Sequence, residues 1–435
     1  MNVVYIHTHD MGRYISPYGY NVPTPNLMKL AQDGTLFRHA YCAGPTCSPS
    51  RAALLTGTSP HTCGMLGLAH RGFELHDYSR HIVQFLNKQG YETVLCGIQH
   101  EAPLDEMLGY RRLLKADTYS PNFSRVEWDM KNAELVVQYL QEAPKKPFFL
   151  SYGLFNPHRE FPSIDPEVNP DYVVPPAQLY DTQENRMDMA AYISGAKAAD
   201  KCIGLVMDAL KAAALEEDTL VIFTTDHGIA FPLMKCNLYD TGIGVSLIIK
   251  YTGNKLRGKA TDSLVSHLDI FPTICELLNT GKPDWLEGNS LVPILEAQTK
   301  KVREEVFSEV TFHAAYEPMR CIRTNRFKLI MNFGEDSIVP SNIDDGISKD
   351  YLVSNGFLKR RKEQEMLFDL YMDPSERNNL VNIREYEDTY KDLKQRLDQW
   401  MKSTNDPLLK GYVEKPIGAK INKSSCLSPR ENDFE

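Results

Sequence analysis

The sequence of 435 residues lacks three features that each mark a class of protein: a long apolar run, a surplus of basic residues and a paired cysteine motif. No stretch approaches the roughly 18 uninterrupted apolar residues of a membrane helix. No basic segment with an apolar core follows Met1, so neither a membrane span nor a signal peptide is expected. Lysine and arginine total 48 against 57 aspartate and glutamate, a net charge of −9. Nucleic-acid-binding proteins normally carry a basic face, so no such partner is expected.

The nine cysteines are odd in number and scattered along the chain. Disulfide frameworks usually use an even number of regularly spaced cysteines. Reduced thiols are typical of reducing compartments, so the cysteine pattern predicts a cytoplasmic protein. The acidic balance argues against an anionic ligand, but net charge describes the average surface and leaves the charge of a site open.

Short apolar segments alternate with helical patterns along roughly the first 300 residues. The segments that indicate buried parallel strands are Val3–Ile6, Glu92–Cys96, Phe148–Tyr152, Leu220–Thr224 and Ser246–Lys250. The segments with helical spacing are Asn26–Asp33, Ile82–Lys88 and Met187–Ala214. This alternation predicts an α/β fold, in which a mostly parallel sheet carries helices on both faces.

The pattern changes after about residue 300. Segments 321–332 and 365–371 indicate antiparallel strands, and segment 386–402 is an amphipathic helix. We therefore expect a larger domain over residues 1–300 and a smaller C-terminal α+β subdomain over residues 301–435. About the last fifteen residues are expected to form a loose tail or an extended arm. If the segment after Lys415 is an exchange arm, the protein is a homo-oligomer.

Polar residues follow four of the predicted strands. Asp10 comes after the first strand, His100 after the second, His158 after the third and Asp226 after the fourth. Ligands of open α/β sheets bind beyond the carboxyl ends of the strands. The sequence therefore predicts one site that unites these side chains.

The segment from Cys47 to Gly57 reads C-S-P-S-R-A-A-L-L-T-G. Pro49 suits the first turn of a helix, which places Cys47 at a helix N-terminus, where the dipole favours an anion and lowers a thiol pKa. Arg51 is one turn further along and can face the same anion. A buried cysteine before a helix fits the pattern equally well.

This pattern, C-x-P-S-R followed by four residues and then T-G, resembles the signature of the sulfatase family, which belongs to the alkaline phosphatase superfamily. The resemblance extends to residues 24–34, 59–61, 225–228, 267–273, 288–291 and 367–380. Residues 228–239 and 316–329 are most similar to the heparan N-sulfatase (sulfamidase) branch. The resemblance implies that residues 1–300 form the catalytic domain and that residues 301–435 complete the substrate pocket.

The resemblance also implies a mechanism and a set of site residues. A separate maturation enzyme would convert Cys47 to formylglycine, whose hydrate is the nucleophile, and one divalent metal ion would assist. The implied residues are Cys47, Arg51, His100, His158 and Lys235 for catalysis, with His158 protonating the leaving group; Asp10, Asp226, His227, His9 and Cys47 for the metal; and His313 and Arg320 for substrate contacts.

The chain departs from the family at two positions, His9 and Ile98. His9 stands where sulfatases usually have a second aspartate, so an imidazole replaces that ligand or the ligand is missing. Calcium is the metal of the family, but imidazole suits manganese, iron or zinc better, so both kinds of metal stay open. Ile98 replaces the lysine of the Lys-x-His pair, and only His100 remains.

The expected reaction is the hydrolysis of a sulfate ester or N-sulfate on a small sugar-like substrate. The alternative within enzymes is a formylglycine-dependent phosphodiesterase or phosphonate monoester hydrolase, because those relatives also have a single aspartate in the first motif and Asp-His in the second. The alternative of another class is an inactive protein that binds sulfated sugars.

Overall fold

The computed structural model describes residues 1–117, 124–142, 144 and 147–435. The strands are β1 (Asn2–Thr8), β2 (Thr35–Tyr41), β3 (Glu92–Gly97), β4 (Arg112–Leu114), β5 (Phe148–Gly153), β6 (Thr219–Thr225), β7 (Gly244–Val245), β8 (Leu247–Lys250), β9 (Lys259–Ser266), β10 (Glu305–Phe312), β11 (Tyr316–Thr324), β12 (Phe327–Asn332) and β13 (Glu365–Asp369).

The α-helices are α1 (Pro25–Asp33), α2 (Cys47–Thr56), α3 (Pro60–Cys63), α4 (Ile82–Lys88), α5 (Arg125–Gln141), α6 (Gln183–Ala212), α7 (Asp240–Ile243), α8 (Ile270–Leu278), α9 (Val292–Leu295), α10 (Ile347–Ser354) and α11 (Glu387–Ser403). None of the helices in the described ranges is long and apolar enough to cross a membrane.

The larger sheet has the strand order β4-β3-β5-β1-β6-β8-β2-β7, with β9 beside β2. Strands β4, β3, β5, β1 and β6 run parallel, which confirms the predicted mostly parallel sheet. The predicted strand Ser246–Lys250 corresponds to β8, which is antiparallel to β6 and not parallel as expected. A parallel pair needs a crossover that returns the chain to the starting end of the sheet. The segment between β6 and β8 contains only α7 and β7, so β8 starts where β6 ends.

Both faces of the larger sheet are covered, because alternate residues of each strand point to opposite sides. In β1, Val3 and Tyr5 join one apolar cluster, whereas Val4 and Ile6 join the cluster on the other face together with residues of α5 and α6. All seven residues of β1 are buried, as expected for a central parallel strand.

The smaller sheet is antiparallel and has the order β10-β11-β12-β13. Helix α11 packs against β11 and β12 and buries Leu393, Leu397 and Met401. This arrangement confirms the predicted C-terminal α+β architecture. The domain boundary at residue 300 stays a prediction, although the smaller sheet starts at Glu305.

A few buried residues anchor the segment after Lys415 on the rest of the chain, so it is not the loose tail that the composition predicts. Ile421 and Asn422 are fully buried and Cys426 is nearly so. The backbone N–H of Asn422 donates to the carbonyl of Ala314 (2.8 Å), and Arg71 donates to the Asn422 side chain (2.6 Å). A polar segment becomes ordered here because buried partners satisfy its hydrogen-bonding groups.

Candidate active site

The carboxyl ends of β1, β3, β5 and β6 meet at one edge of the larger sheet, as the parallel arrangement requires. The backbone N–H of Asp10 donates to the Asp226 carboxylate (2.8 Å). The Nε2 atom of His158 lies 3.8 Å from the Asp10 carboxylate, and the rings of His9 and His100 lie 4.7 Å apart. The four predicted strand ends therefore contribute to one cluster.

Cys47 is the first residue of α2, and only 3% of it is exposed. The helix begins after Thr46, which is extended, and ends at Gly57 in the left-handed region (φ 70°). Ligand atoms of Cys47, Asp10, Asp226 and His227 all lie within 4.8 Å of one another. Burial raises the pKa of the Cys47 thiol, whereas the nearby Lys235 lowers it by less. The expected lowering at the helix N-terminus is therefore wrong, because the loss of solvation is the larger effect.

Arg51 is fully buried and holds residues of this cluster through its guanidinium group. Its Nη2 atom donates to the Asp226 carboxylate (2.9 Å) and to the carbonyl of Thr8 (3.0 Å). Its Nη1 atom contacts His7, whose other ring nitrogen lies 3.2 Å from Ser151. Both nitrogens of His7 are thus occupied, so His7 is no metal ligand in this arrangement.

The residues at the strand ends fit a divalent cation. Oδ1 of Asp10 and Nε2 of His227 lie 3.4 Å apart, and neither atom has a hydrogen-bond partner within the described ranges. Buried polar atoms without partners are costly, and a metal ion would satisfy both. Burial alone would raise the pKa of Asp226, but His227 and Arg51 hold it well below its ordinary value, so this ligand is ionised.

His9 lies in the same cluster and is fully buried. Its Nδ1 atom is 3.2 Å from the Asp226 carboxylate. Ligand atoms of His9, Asp10, Cys47 and His158 form a second group within 4.8 Å, which shares Asp10 and Cys47 with the first. Burial and the charge of Arg51 lower the pKa of His9, which favours the neutral imidazole that binds metals.

Lys235 contacts two carboxylates of the cluster. Its Nζ atom lies 3.1 Å from Asp10 and 3.1 Å from Asp344. Asp344 comes from the C-terminal region, and the sequence interpretation did not find it. His313 is nearby, since the charges of Lys235 and Asp344 both act on its pKa, which burial lowers. His313 is therefore near Lys235 and Asp344, and its role as a substrate contact stays a prediction.

His100 and His158 complete the cluster. Burial and Arg51 lower the pKa of His100. The Nδ1 atom of His158 contacts the carbonyl of Arg159, and 22% of the His158 side chain is exposed. The sequence interpretation missed His70, whose ring lies 6.3 Å from that of His100. No motif marks His70, and only the fold brings it close.

Arg320 does not join the site, which corrects its predicted role in substrate binding. It is fully buried and pairs with Asp406 (2.6 Å) and Glu309 (3.1 Å). A guanidinium that is occupied in this way has no face for a substrate.

Two protein-family models match the sequence of the chain. The sulfatase family model matches residues 1–280. A second family model, described as N-sulphoglucosamine sulphohydrolase, C-terminal, matches residues 231–339, which include Lys235 and His313.

Individual proteins show the same similarity. Human N-sulphoglucosamine sulphohydrolase is 29% identical over 94% of this chain and 90% of that protein. An ulvan-active sulfatase of Formosa agariphila is 27% identical over 96% of this chain and 83% of that protein. A protein solved in complex with its substrate D-glucosamine-2-N,6-O-disulfate has a TM-score of 0.73 at 19% identity, covering 93% of this chain and 98% of that chain. At that identity the structural match shows a common fold.

Proposed function

Because the chain belongs to the sulfatase family, we propose that it hydrolyses the N-sulfate or sulfate ester of a small sugar-like substrate, with an N-sulfated amino sugar favoured. The observation that carries the proposal is the meeting of Cys47, Asp10, Asp226 and His227 within 4.8 Å at the N-terminus of α2. The C-terminal family match and the human relative support the N-sulfate.

Residue 47 is the proposed nucleophile, after a separate enzyme has converted Cys47 to formylglycine. The hydrated aldehyde would supply one hydroxyl that attacks sulfur and a second hydroxyl that expels sulfate as the aldehyde is restored. The position of residue 47 beside Asp10 and Asp226 supports this role, because nucleophile and metal ligands then act on one sulfuryl group.

The metal bound by Asp10, Asp226, His227 and His9 would act as a Lewis acid on the sulfuryl oxygens. Two imidazoles among four ligands suit manganese, iron or zinc better than calcium. We therefore propose a transition metal. Metal analysis of the purified protein and of an Asp226→Asn variant tests this assignment. Stoichiometric calcium without a transition metal in the wild type would contradict it.

Arg51, Lys235 and His100 are proposed to neutralise and orient the sulfuryl group. Both Nη atoms of Arg51 are occupied, and one of them holds Asp226 in place through the 2.9 Å contact. Its Nε atom has no hydrogen-bond partner among the described residues, so that N–H is the part left for the sulfuryl group. Arg51, Lys235 and the metal would make the site locally positive, although the net charge of the chain is −9. The average charge therefore does not exclude an anionic substrate.

His158 is the proposed proton donor for the leaving group. An amine is a poor leaving group and must be protonated as the N–S bond breaks. The Nδ1 atom of His158 faces the carbonyl of Arg159, so it keeps its proton there. The donor must then be the imidazolium, whose second proton lies on Nε2, on the side of Asp10. Burial lowers the pKa of His158, and the charges of Asp10 and Asp344 counteract this effect and favour the imidazolium.

A substrate panel tests the reaction. The matured wild type and a Cys47→Ala variant are assayed with glucosamine N-sulfate, an aryl sulfate, an aryl phosphodiester and an aryl phosphonate. We expect the sulfated substrates to turn over fastest and the variant to be inactive. If phosphorus substrates turn over far better than every sulfated substrate, the enzyme is the alternative hydrolase.

The mass of tryptic peptide His39–Arg51 from the native host tests the nucleophile separately. Loss of sulfur from Cys47 is expected. An intact thiol, together with tight binding of sulfated sugars and no turnover, would indicate the non-enzymatic alternative. The cytoplasmic location and the homo-oligomer stay predictions, to be tested by cell fractionation and light scattering.

A further inference from the structure

Asp344 is a carboxylate at the site that none of the predicted motifs includes. It follows a turn at Pro340–Asn342 and precedes α10. It also lies outside residues 1–280 and 231–339, which the two family models match. Its Oδ2 atom lies 3.1 Å from Nζ of Lys235.

The loop that carries Asp344 is held from both sides. The side chain of Asn342 accepts from the backbone N–H of Ala315 (2.9 Å) and donates to the Glu317 carboxylate (2.7 Å). On the other side, Lys349 donates to the carbonyl of Ile343 (2.8 Å). A carboxylate on a loop fixed in this way is preorganised, because its neighbours determine its position.

Lys235 faces two carboxylates, because Asp10 also lies 3.1 Å from the same ammonium group. A second carboxylate there weakens the attraction of Lys235 for an anionic sulfuryl group. The side chain of Asp344 is 16% exposed, more than that of Lys235 at 3%, so a ligand in the site can reach it. Its charge acts on both His158 and His313, so it lies near the proposed proton donor and the predicted substrate contact.

We propose that Asp344 determines substrate specificity by accepting a hydrogen bond from a hydroxyl or amine next to the reacting sulfuryl group. An ionised carboxylate only accepts hydrogen bonds, so Asp344 favours a neighbouring donor and repels a second sulfate in that position. The preferred substrate class is therefore a sugar with one reacting sulfuryl group flanked by free hydroxyl groups. This inference rests on the proposed function.

The variant Asp344→Asn tests the inference, because it keeps the shape of the side chain and removes its charge. The matched control is Asp345→Asn, which removes a charge from the same loop at a residue that pairs with Lys349 and not with Lys235. Steady-state kinetics are measured with glucosamine N-sulfate, its N,3-O-disulfate and its N,6-O-disulfate. Thermal unfolding confirms that each variant is folded.

We expect Asp344→Asn to lower kcat/KM for the monosulfated sugar by about tenfold or more, the usual effect of losing a hydrogen bond to a charged group. The same variant is expected to gain activity on at least one disulfated sugar. The ratio of kcat/KM for the monosulfated sugar to that for the disulfated sugar then decreases or falls below one. Asp345→Asn should leave the preference as in the wild type. If Asp344 only positions Lys235, the variant would lower kcat/KM for all three substrates by the same factor. That result would overturn the inference.

Binding to the Cys47→Ala variant, with and without Asp344→Asn, gives the same comparison without turnover. Calorimetry should show that the charge at residue 344 disfavours a disulfate relative to the monosulfate. If the wild type hydrolyses no sulfated sugar, the proposed function fails. If it does hydrolyse them and the preference is unaffected by Asp344→Asn, only the role of Asp344 fails.

Discussion

Replacing Arg320 with methionine removes the central cation of a buried ion cluster and keeps most of the side-chain volume. The guanidinium contacts Asp406 through two nitrogens, at 2.6 and 3.0 Å, and Glu309 at 3.1 Å. Glu309 also pairs with His61 at 2.9 Å. Two acids therefore face two bases in this cluster, and the substitution leaves a surplus of negative charge in the interior.

The expected loss in the free energy of unfolding is about 3–5 kcal/mol, the usual cost of removing one partner of a buried pair. The cost is high because all four side chains are at most 1% exposed, so water does not replace the lost contacts. Two carbonyls, of Val310 and Met319, also lose a donor.

Urea denaturation followed by tryptophan fluorescence measures the loss, since the ring of Trp400 lies 5.2 Å from that of His61. The control is Arg326→Met, which breaks a 2.7 Å pair with Asp369 on a side chain that is 46% exposed. Exposed pairs contribute little. If both variants lose the same stability, the account of the buried cluster is wrong. If Arg320→Met raises KM in folded protein, the original substrate role is restored.

Three further predictions concern the site and the cluster. His158→Gln should lower kcat on glucosamine N-sulfate by about 100-fold or more, the range for loss of a general acid, and should affect an aryl sulfate with a good leaving group less; equal losses would exclude His158 as the proton donor. Chelation of the metal should lower the thermal midpoint of the wild type, because a ligand that binds only the folded state stabilises it, whereas Asp10→Asn should respond weakly; equal responses would place the metal elsewhere. Burial lowers the pKa of His61, but Glu309 outweighs it, so the folded pKa lies above 6.5. The stability from this pair is then complete below pH 6.5 and is lost as the pH rises through the folded pKa; His61→Gln should flatten that part of a stability–pH curve, and an unchanged slope would refute the assignment.

The parts of the site that the sequence predicted are those that strand pairing or a single helix brings together. Asp10 and Asp226 follow apolar strands within two residues and His158 within five, so parallel pairing brings them together. Cys47 and Arg51 are one helical turn apart, so the helix fixes the relative position of the two side chains. Periodicity and motif spacing therefore carried this information.

The parts that the sequence missed depend on contacts between distant segments. Asp344 lies in a loop that has no motif, and only the packing of the C-terminal region places it beside Lys235. Arg320 was assigned to the substrate because its sequence does not distinguish a cation that faces a pocket from one that pairs with Asp406 and Glu309. The direction of β8 is set by the short connection after β6. The last residues take a defined position because partners such as Arg71 bind them.

The contact between Arg51 and Asp226 joins positions 175 residues apart, so the site closes only after synthesis has passed β6 and that strand has paired with β1. Once α2 has docked, 3% exposure of Cys47 leaves a modifying enzyme almost no access to it. If residue 47 is converted as proposed, the conversion must happen on the nascent or unfolded chain. The fraction of active protein would then depend on the relative rates of folding and modification. Slower folding, or more of the modifying enzyme, would raise that fraction.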